Sequence, residues 1–134
     1  MDSSSWRFSH IGIIVRNTDE SLRFFQTLGF DLLKGPYDTT GRAEGAPRSR
    51  IAHIQRDGAS IELVQPIEGT SVNTDFLNTI GEGVNHICYE VDDLETERLK
   101  MAADGFTELY GSEIFAYFDT RAKGNLIIEL KQRR

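Results

Sequence analysis

The chain has 134 residues, enough for one domain with a sizeable core, and its 39% hydrophobic and 27% charged residues argue against disordered or fibrous classes. A formal charge of −6 argues against a phosphate-backbone partner, because nucleic-acid binding relies on clustered Lys and Arg. No apolar run approaches the roughly 18 residues of a membrane span, and the opening MDSSSWRFSH lacks the basic and apolar regions of a secretory signal. A cytoplasmic chain without nucleic-acid or membrane partners is therefore expected.

The first element is FSHIGIIVRN at 8–17, a buried-strand pattern that carries His10 near its start. Its apolar part, 10–15, is too short for a helix, whereas Leu22, Phe25 and Leu28 recur at helical spacing after the polar RNTDE. Thr18 or Asp19 is expected to cap this helix and Gly29 to end it, with a new strand following. Residues 35–47, GPYDTTGRAEGAP, are rich in Gly, Pro and polar side chains and read as a loop that covers a site. Two strands follow, SRIAHIQR at 49–56 and GASIELVQ at 58–65. On the first of them His53 reads as a surface or pocket-lining residue rather than a metal ligand. Residues 66–83 join the halves, with Phe76, Leu77 and Ile80 forming a short packed turn.

The second half repeats the first. HICYEVDDLETERLKMAADGFTEL from His86 parallels HIGIIVRNTDESLRFFQTLGFDLL from His10. Both open on His-Ile, carry a valine five residues on (Val15, Val91) and reach Gly-Phe nineteen residues on (Gly29, Gly105). Asp93, Leu94, Leu99 and Ala102 mark the second helix, with Asp92 and Asp93 placed for capping. EIFAYFDT at 113–120 and GNLIIELKQ at 124–132 complete the half, and the latter shares Ile-Glu-Leu with GASIELVQ. Cys88, the single cysteine, lies in an apolar run and reads as structural. The order is βαβββ twice: an α+β chain forming one domain over 1–134, with module one at about 7–66, a linker at about 67–83 and module two at about 84–132.

This duplication puts His10 and His86 at equivalent strand starts and Glu62 and Glu129 in equivalent closing strands. One histidine at a strand start, or one glutamate within IEL, is ordinarily structural; four such residues at repeat-related positions read as a metal-ligand set. Two carboxylates converging in a partly dry site repel and raise each other's pKa unless a cation lies between them. The mixed nitrogen and oxygen set suits Zn, Ni, Co or Mn and leaves room for a bidentate substrate.

The duplicated βαβββ order, the His-x-Gly/Cys-x-x-Val openings and the closing IEL resemble the vicinal oxygen chelate superfamily of glyoxalases, bleomycin resistance proteins and extradiol dioxygenases, over about residues 7–132. ELVQP followed by GEGVNHICYEVDDLE is most similar to methylmalonyl-CoA epimerase-like members. The resemblance implies two modules curling into a half-open barrel cup around one divalent metal held by His10, Glu62, His86 and Glu129. It also implies a homodimer, and an epimerase, isomerase or lyase that acts on a small oxygenated acid or thioester through a metal-stabilised enolate. The chain departs from the CoA-linked pattern with Asn85-His86 in place of a double histidine and Asp119-Thr120-Arg121 in place of His-Pro-Lys. Glu129 is one candidate base; Glu44, four residues before Arg48, is the other. Arg48 and Arg121 are candidates for binding an anionic substrate, and Tyr117 for lining the cup. Two other readings are an iron-dependent extradiol-type dioxygenase, in which the position of Glu62 is not a ligand, and a metal-free binding or resistance protein, which lacks the ligand set.

Overall fold

A computed structural model describes residues 1–39 and 47–134 of the chain. Two compact units make it up, Ile11–Asn85 and a second that joins Met1–His10 to His86–Arg134. The elements run β1 (Arg7–Ile14), α1 (Thr18–Thr27), β2 (Asp31–Asp38), β3 (Arg48–Arg56), β4 (Ala59–Glu68), α2 (Val72–Thr79), β5 (Gly83–Val91), α3 (Leu94–Ala103), β6 (Glu108–Gly111), β7 (Phe115–Phe118), α4 (Arg121–Gly124) and β8 (Ile127–Gln132). The fold is mixed α+β, and βαβββ occurs twice, as the repeat predicts.

In the Ile11–Asn85 unit the ladder order is β2-β3-β4-β1, antiparallel except for β1 and β4, which run parallel with Gly12 opposite Glu62. The β3–β4 hairpin turns on Asp57 and Gly58, at φ of 49° and 83°, the backbone that a two-residue Asp-Gly turn favours. From that turn the register counts back to His53 opposite Glu62. Val15, Leu22, Ala52, Ile54 and Leu63 form the core, with Phe25, Phe30 and Ile61 packed against it. Leu63→Ala, at a position with no exposure, is expected to cost about 2–5 kcal/mol, read as a fall in the urea midpoint.

Helix α1 is capped by Asn17, whose side chain accepts from the Glu20 amide, and not by Thr18 or Asp19. A cap must stand on extended backbone ahead of the first turn, which Asn17 does at φ −149° and ψ 104°. Thr18 is instead buried with its hydroxyl donating to the Arg50 carbonyl at 2.7 Å, and Asp19 grips the Arg50 guanidinium at 2.8 Å. Gly29 ends the helix at φ +87°, as expected. The segment read as a packed turn is the helix α2, and Ile80 at its end is 70% exposed rather than packed. Strand β2 runs on to Asp38, so the anticipated loop begins later than Gly35; Glu44 lies outside the described residues.

The other unit repeats the ladder as β5-β8-β7-β6. Strands β5 and β8 are parallel with Cys88 opposite Glu129, and β7 sets Tyr117 opposite Glu129 from the other side. Val91, Leu94, Met101, Ala116, Phe118 and Leu130 form its core. Asp93 caps α3 through the Thr96 amide. The buried face of that helix is Leu94, Glu97 and Met101; Leu99 is 74% exposed, because it lies across the helix from the i, i+3, i+7 stripe. The short α4 before β8, ended by Asn125 at φ 57°, has no apolar periodicity to announce it. Among the described residues no helix is long and apolar enough to cross a membrane.

Candidate metal centre

Strands β1, β5 and β8 bring His10, His86 and Glu129 together within one unit. His86 is fully buried, and its Nε2 lies 3.4 Å from Glu129 Oε1; His10 Nε2 lies 3.8 Å from the same oxygen. The two imidazoles meet edge to face with ring centres 5.6 Å apart. The second ring nitrogen of His10 is anchored 2.9 Å from the Ser9 hydroxyl. The Tyr117 ring stands edge-on to His86 at 5.5 Å, and Cys88 Sγ falls within 4.8 Å of donor atoms of His10 and Glu129. Cys88 is fully buried, in keeping with a structural thiol.

Burial sets the charge states. It pushes the Glu129 carboxyl up to about 7, against the lowering influence of Lys131 and of hydrogen bonds from Cys88 and Tyr117. Burial likewise pushes His86 down to about 4, so at neutral pH its ring is uncharged and retains a lone pair. Two imidazole nitrogens and one carboxylate oxygen, buried and aimed at one another, are the donor chemistry of a divalent-cation site. The residues of this unit therefore fit a metal of the Zn, Ni, Co or Mn group.

Glu62, the fourth expected ligand, belongs to the other unit. It pairs with Gly12, two residues beyond His10, just as Glu129 pairs with Cys88, two residues beyond His86. Within its own unit Glu62 Oε2 lies 3.7 Å from His53 Nδ1, and His53 Nε2 lies 2.9 Å from the Tyr37 hydroxyl. Sequence reasoning left both His53 and Tyr37 out of the site residues. The signal for His53 was present, since counting from the Asp57-Gly58 turn sets it opposite Glu62.

Tyr117 joins the centre, but the two arginines are engaged elsewhere. Arg48 pairs with Glu68 at 3.1 Å and reaches the Thr39 carbonyl at 3.4 Å. Arg121 is held by both oxygens of Asp119 at 2.9 Å, and its hydrogen bonds draw Asp119 down to about 2.

Residues 9–122 match the family model described as the Glyoxalase/Bleomycin resistance protein/Dioxygenase superfamily. The solved structure of hypothetical protein BH1468 from Bacillus halodurans C-125 is similar at 23% identity over 97% of this chain and 96% of that one, with a TM-score of 0.76. Methylmalonyl-CoA epimerase from Mycobacterium tuberculosis is similar at 22% identity over 100% and 93%, with a TM-score of 0.76. A Streptomyces coelicolor methylmalonyl-CoA epimerase variant in complex with 2-nitronate-propionyl-CoA is similar at 23% identity over 94% and 96%, with a TM-score of 0.66. No curated protein matches the chain. At these identities the solved structures establish a shared fold, and the family model spans most of the sequence. The chain belongs to the glyoxalase/bleomycin resistance protein/dioxygenase superfamily.

Proposed function

We propose that the chain is a divalent-metal-dependent epimerase, isomerase or lyase that moves a proton at the carbon beside a carbonyl of a small oxygenated acid or its thioester. The observation that carries this reading is the approach of the His10 and His86 imidazoles to one buried oxygen of Glu129. His10, Glu62, His86 and Glu129 would hold the ion, which is Zn, Ni, Co or Mn. The inclusion of Glu62 is supported by its repeat-related register with Glu129. When bound, a divalent ion supplies the Lewis-acid charge that acidifies a C–H next to a carbonyl.

The rest falls to side chains. Glu129, with its proton affinity raised towards neutrality, suits a group that accepts and returns a proton at Oε. Glu44 is the other base in this proposal. Tyr117 donates towards Glu129 and packs on His86, so it fixes both groups and lines the site. Arg48 and Arg121 take a substrate anion by exchanging Glu68 and Asp119 for it. The likeness to methylmalonyl-CoA epimerases supports the acyl-thioester arm of the substrate class. The reading includes a homodimer of single-domain chains, each built of two tandem modules.

Deuterium wash-in followed by proton NMR tests it. Metal-reconstituted protein in D2O is expected to exchange the α-proton of one class among acyl thioesters, 2-hydroxy acids and 2-oxo acids. Chelator-stripped protein and Glu129→Gln are expected to exchange none. Absence of exchange in every class with the metal-loaded protein would contradict the proposal, and oxygen uptake on a catechol with iron would assign a dioxygenase instead.

A further inference from the structure

The three-strand cluster Tyr37, His53 and Glu62 lies on β2, β3 and β4, and only its last member is among the expected metal ligands. His53 and Glu62 are direct cross-strand partners, so their side chains share a face of the ladder. Both are largely shielded, at 28% and 13% side-chain exposure. A carboxylate only accepts hydrogen bonds, so an imidazole set between Glu62 and a phenol carries its proton on Nδ1, towards Glu62, and accepts from the Tyr37 hydroxyl at Nε2. The 2.9 Å contact and the stacked rings, 5.9 Å apart at 21°, hold that orientation.

The backbone of β2 is shaped to deliver Tyr37. Continuing the register from Lys34 opposite His53 would set Tyr37 opposite Arg50, on the face away from His53. One extra residue enters β2 between Lys34 and Tyr37, so that Tyr37 opposes Ile51 and shares the face of His53. Gly35 sits in that irregular stretch at φ +94°, where a Cβ would lie 2.5 Å from the Ile51 carbonyl oxygen. The Lys34 ammonium, 5.1 Å from the Tyr37 ring centre, also packs over the phenol ring.

We infer that His53 is a positioning residue for Glu62, and that Tyr37 fixes its tautomer and ring orientation so that the Glu62 carboxylate is presented to the divalent ion. This inference rests on the metal-dependent reading above. At 3.7 Å the His53 Nδ1–Glu62 Oε2 contact is too long for a hydrogen bond and acts electrostatically, so the imidazole would orient the carboxylate as an outer-shell partner of the ion.

Cobalt(II) binding tests it, with affinity read by competition against a chromophoric chelator and geometry by the visible absorption band. His53→Leu is expected to weaken cobalt by about 10- to 100-fold and to shift the band, which a purely structural role would leave in place. His53→Asn, whose amide nitrogen stands near the Nδ1 position, is expected to recover most of the loss, and Tyr37→Phe to weaken cobalt by a smaller factor. Unchanged affinity and spectrum in a folded His53→Leu would overturn the inference while leaving the metal reading intact. Should that variant fail to fold, Tyr37→Phe decides, and wild-type affinity and spectrum there would overturn it. Failure of the wild-type chain to bind cobalt would overturn the metal reading and this inference with it.

Discussion

His86→Ala is expected to weaken divalent-metal binding by more than about 100-fold and to abolish substrate proton exchange with it, since loss of a direct ligand exceeds the 10- to 100-fold typical of an outer-shell change. The imidazole is fully buried and kept neutral, so it can give its lone pair to a cation without first losing a proton to solvent. Its removal leaves His10 and Glu129 with one fewer neighbouring donor for a cation. The deleted ring also leaves a cavity, so His86→Gln, closer in volume, should accompany it. Isothermal titration with zinc or nickel, beside urea unfolding of the metal-free proteins, separates ligand loss from instability. Wild-type affinity in a folded His86→Ala would remove His86 from the ligand set.

Glu129→Gln should make the metal-free protein more stable at alkaline pH while destroying its metal site. Burial raises Glu129 from 4.5 to about 7 in the folded chain. The folded state therefore holds this proton more tightly than the unfolded state, so the group's contribution is fully present below about 4.5 and is lost as pH rises through 7. At 1.36 kcal/mol per pKa unit, the variant should gain about 3 kcal/mol over wild type at pH 8, and most of that gap should close as pH falls towards 4.5. His86 runs the other way, its stabilising contribution being present above 6.5 and lost as pH falls through about 4. Because both proteins carry it, the comparison largely cancels it. Urea titrations in chelator at several pH values provide the check. A variant that is less stable than wild type at pH 8 would show that Glu129 is not a strained buried carboxylate. Saturating metal should reverse the ranking, because binding to the folded state alone stabilises only the chain that keeps its ligand.

Much of this arrangement is legible in the sequence because the duplication is written twice in the same periodicities. The His-Ile openings, the helical spacing after them and the two IEL strands fix the βαβββ order, and they place each glutamate two register steps beyond its histidine. The Asp57-Gly58 turn also makes the His53–Glu62 pairing countable, though the strand's apolar alternation alone reads His53 as lining. Tyr37 is different in kind. Its face depends on one added residue in β2, and the Gly35-Pro36 pair that accompanies it carries the composition of a loop.

Tertiary partners decided the other departures. Asn17, Thr18 and Asp19 are all capping residue types, and the claim of Arg50 on the latter two leaves the cap to Asn17. Leu99 and Met101 are both apolar, and only the phase set by Leu94 tells which one enters the core. Arg48 and Arg121 each have an acidic partner, Glu68 and Asp119, that the sequence pattern does not announce and that a substrate anion would have to replace.

The metal content of the purified chain, measured by plasma mass spectrometry after reconstitution and dialysis for wild type and Glu62→Ala, tests the central claim most directly. The four-ligand account predicts about one Zn, Ni, Co or Mn per wild-type chain, and loss of that ion from Glu62→Ala. Absence of metal from the wild-type chain would contradict it and favour a binding protein on this fold.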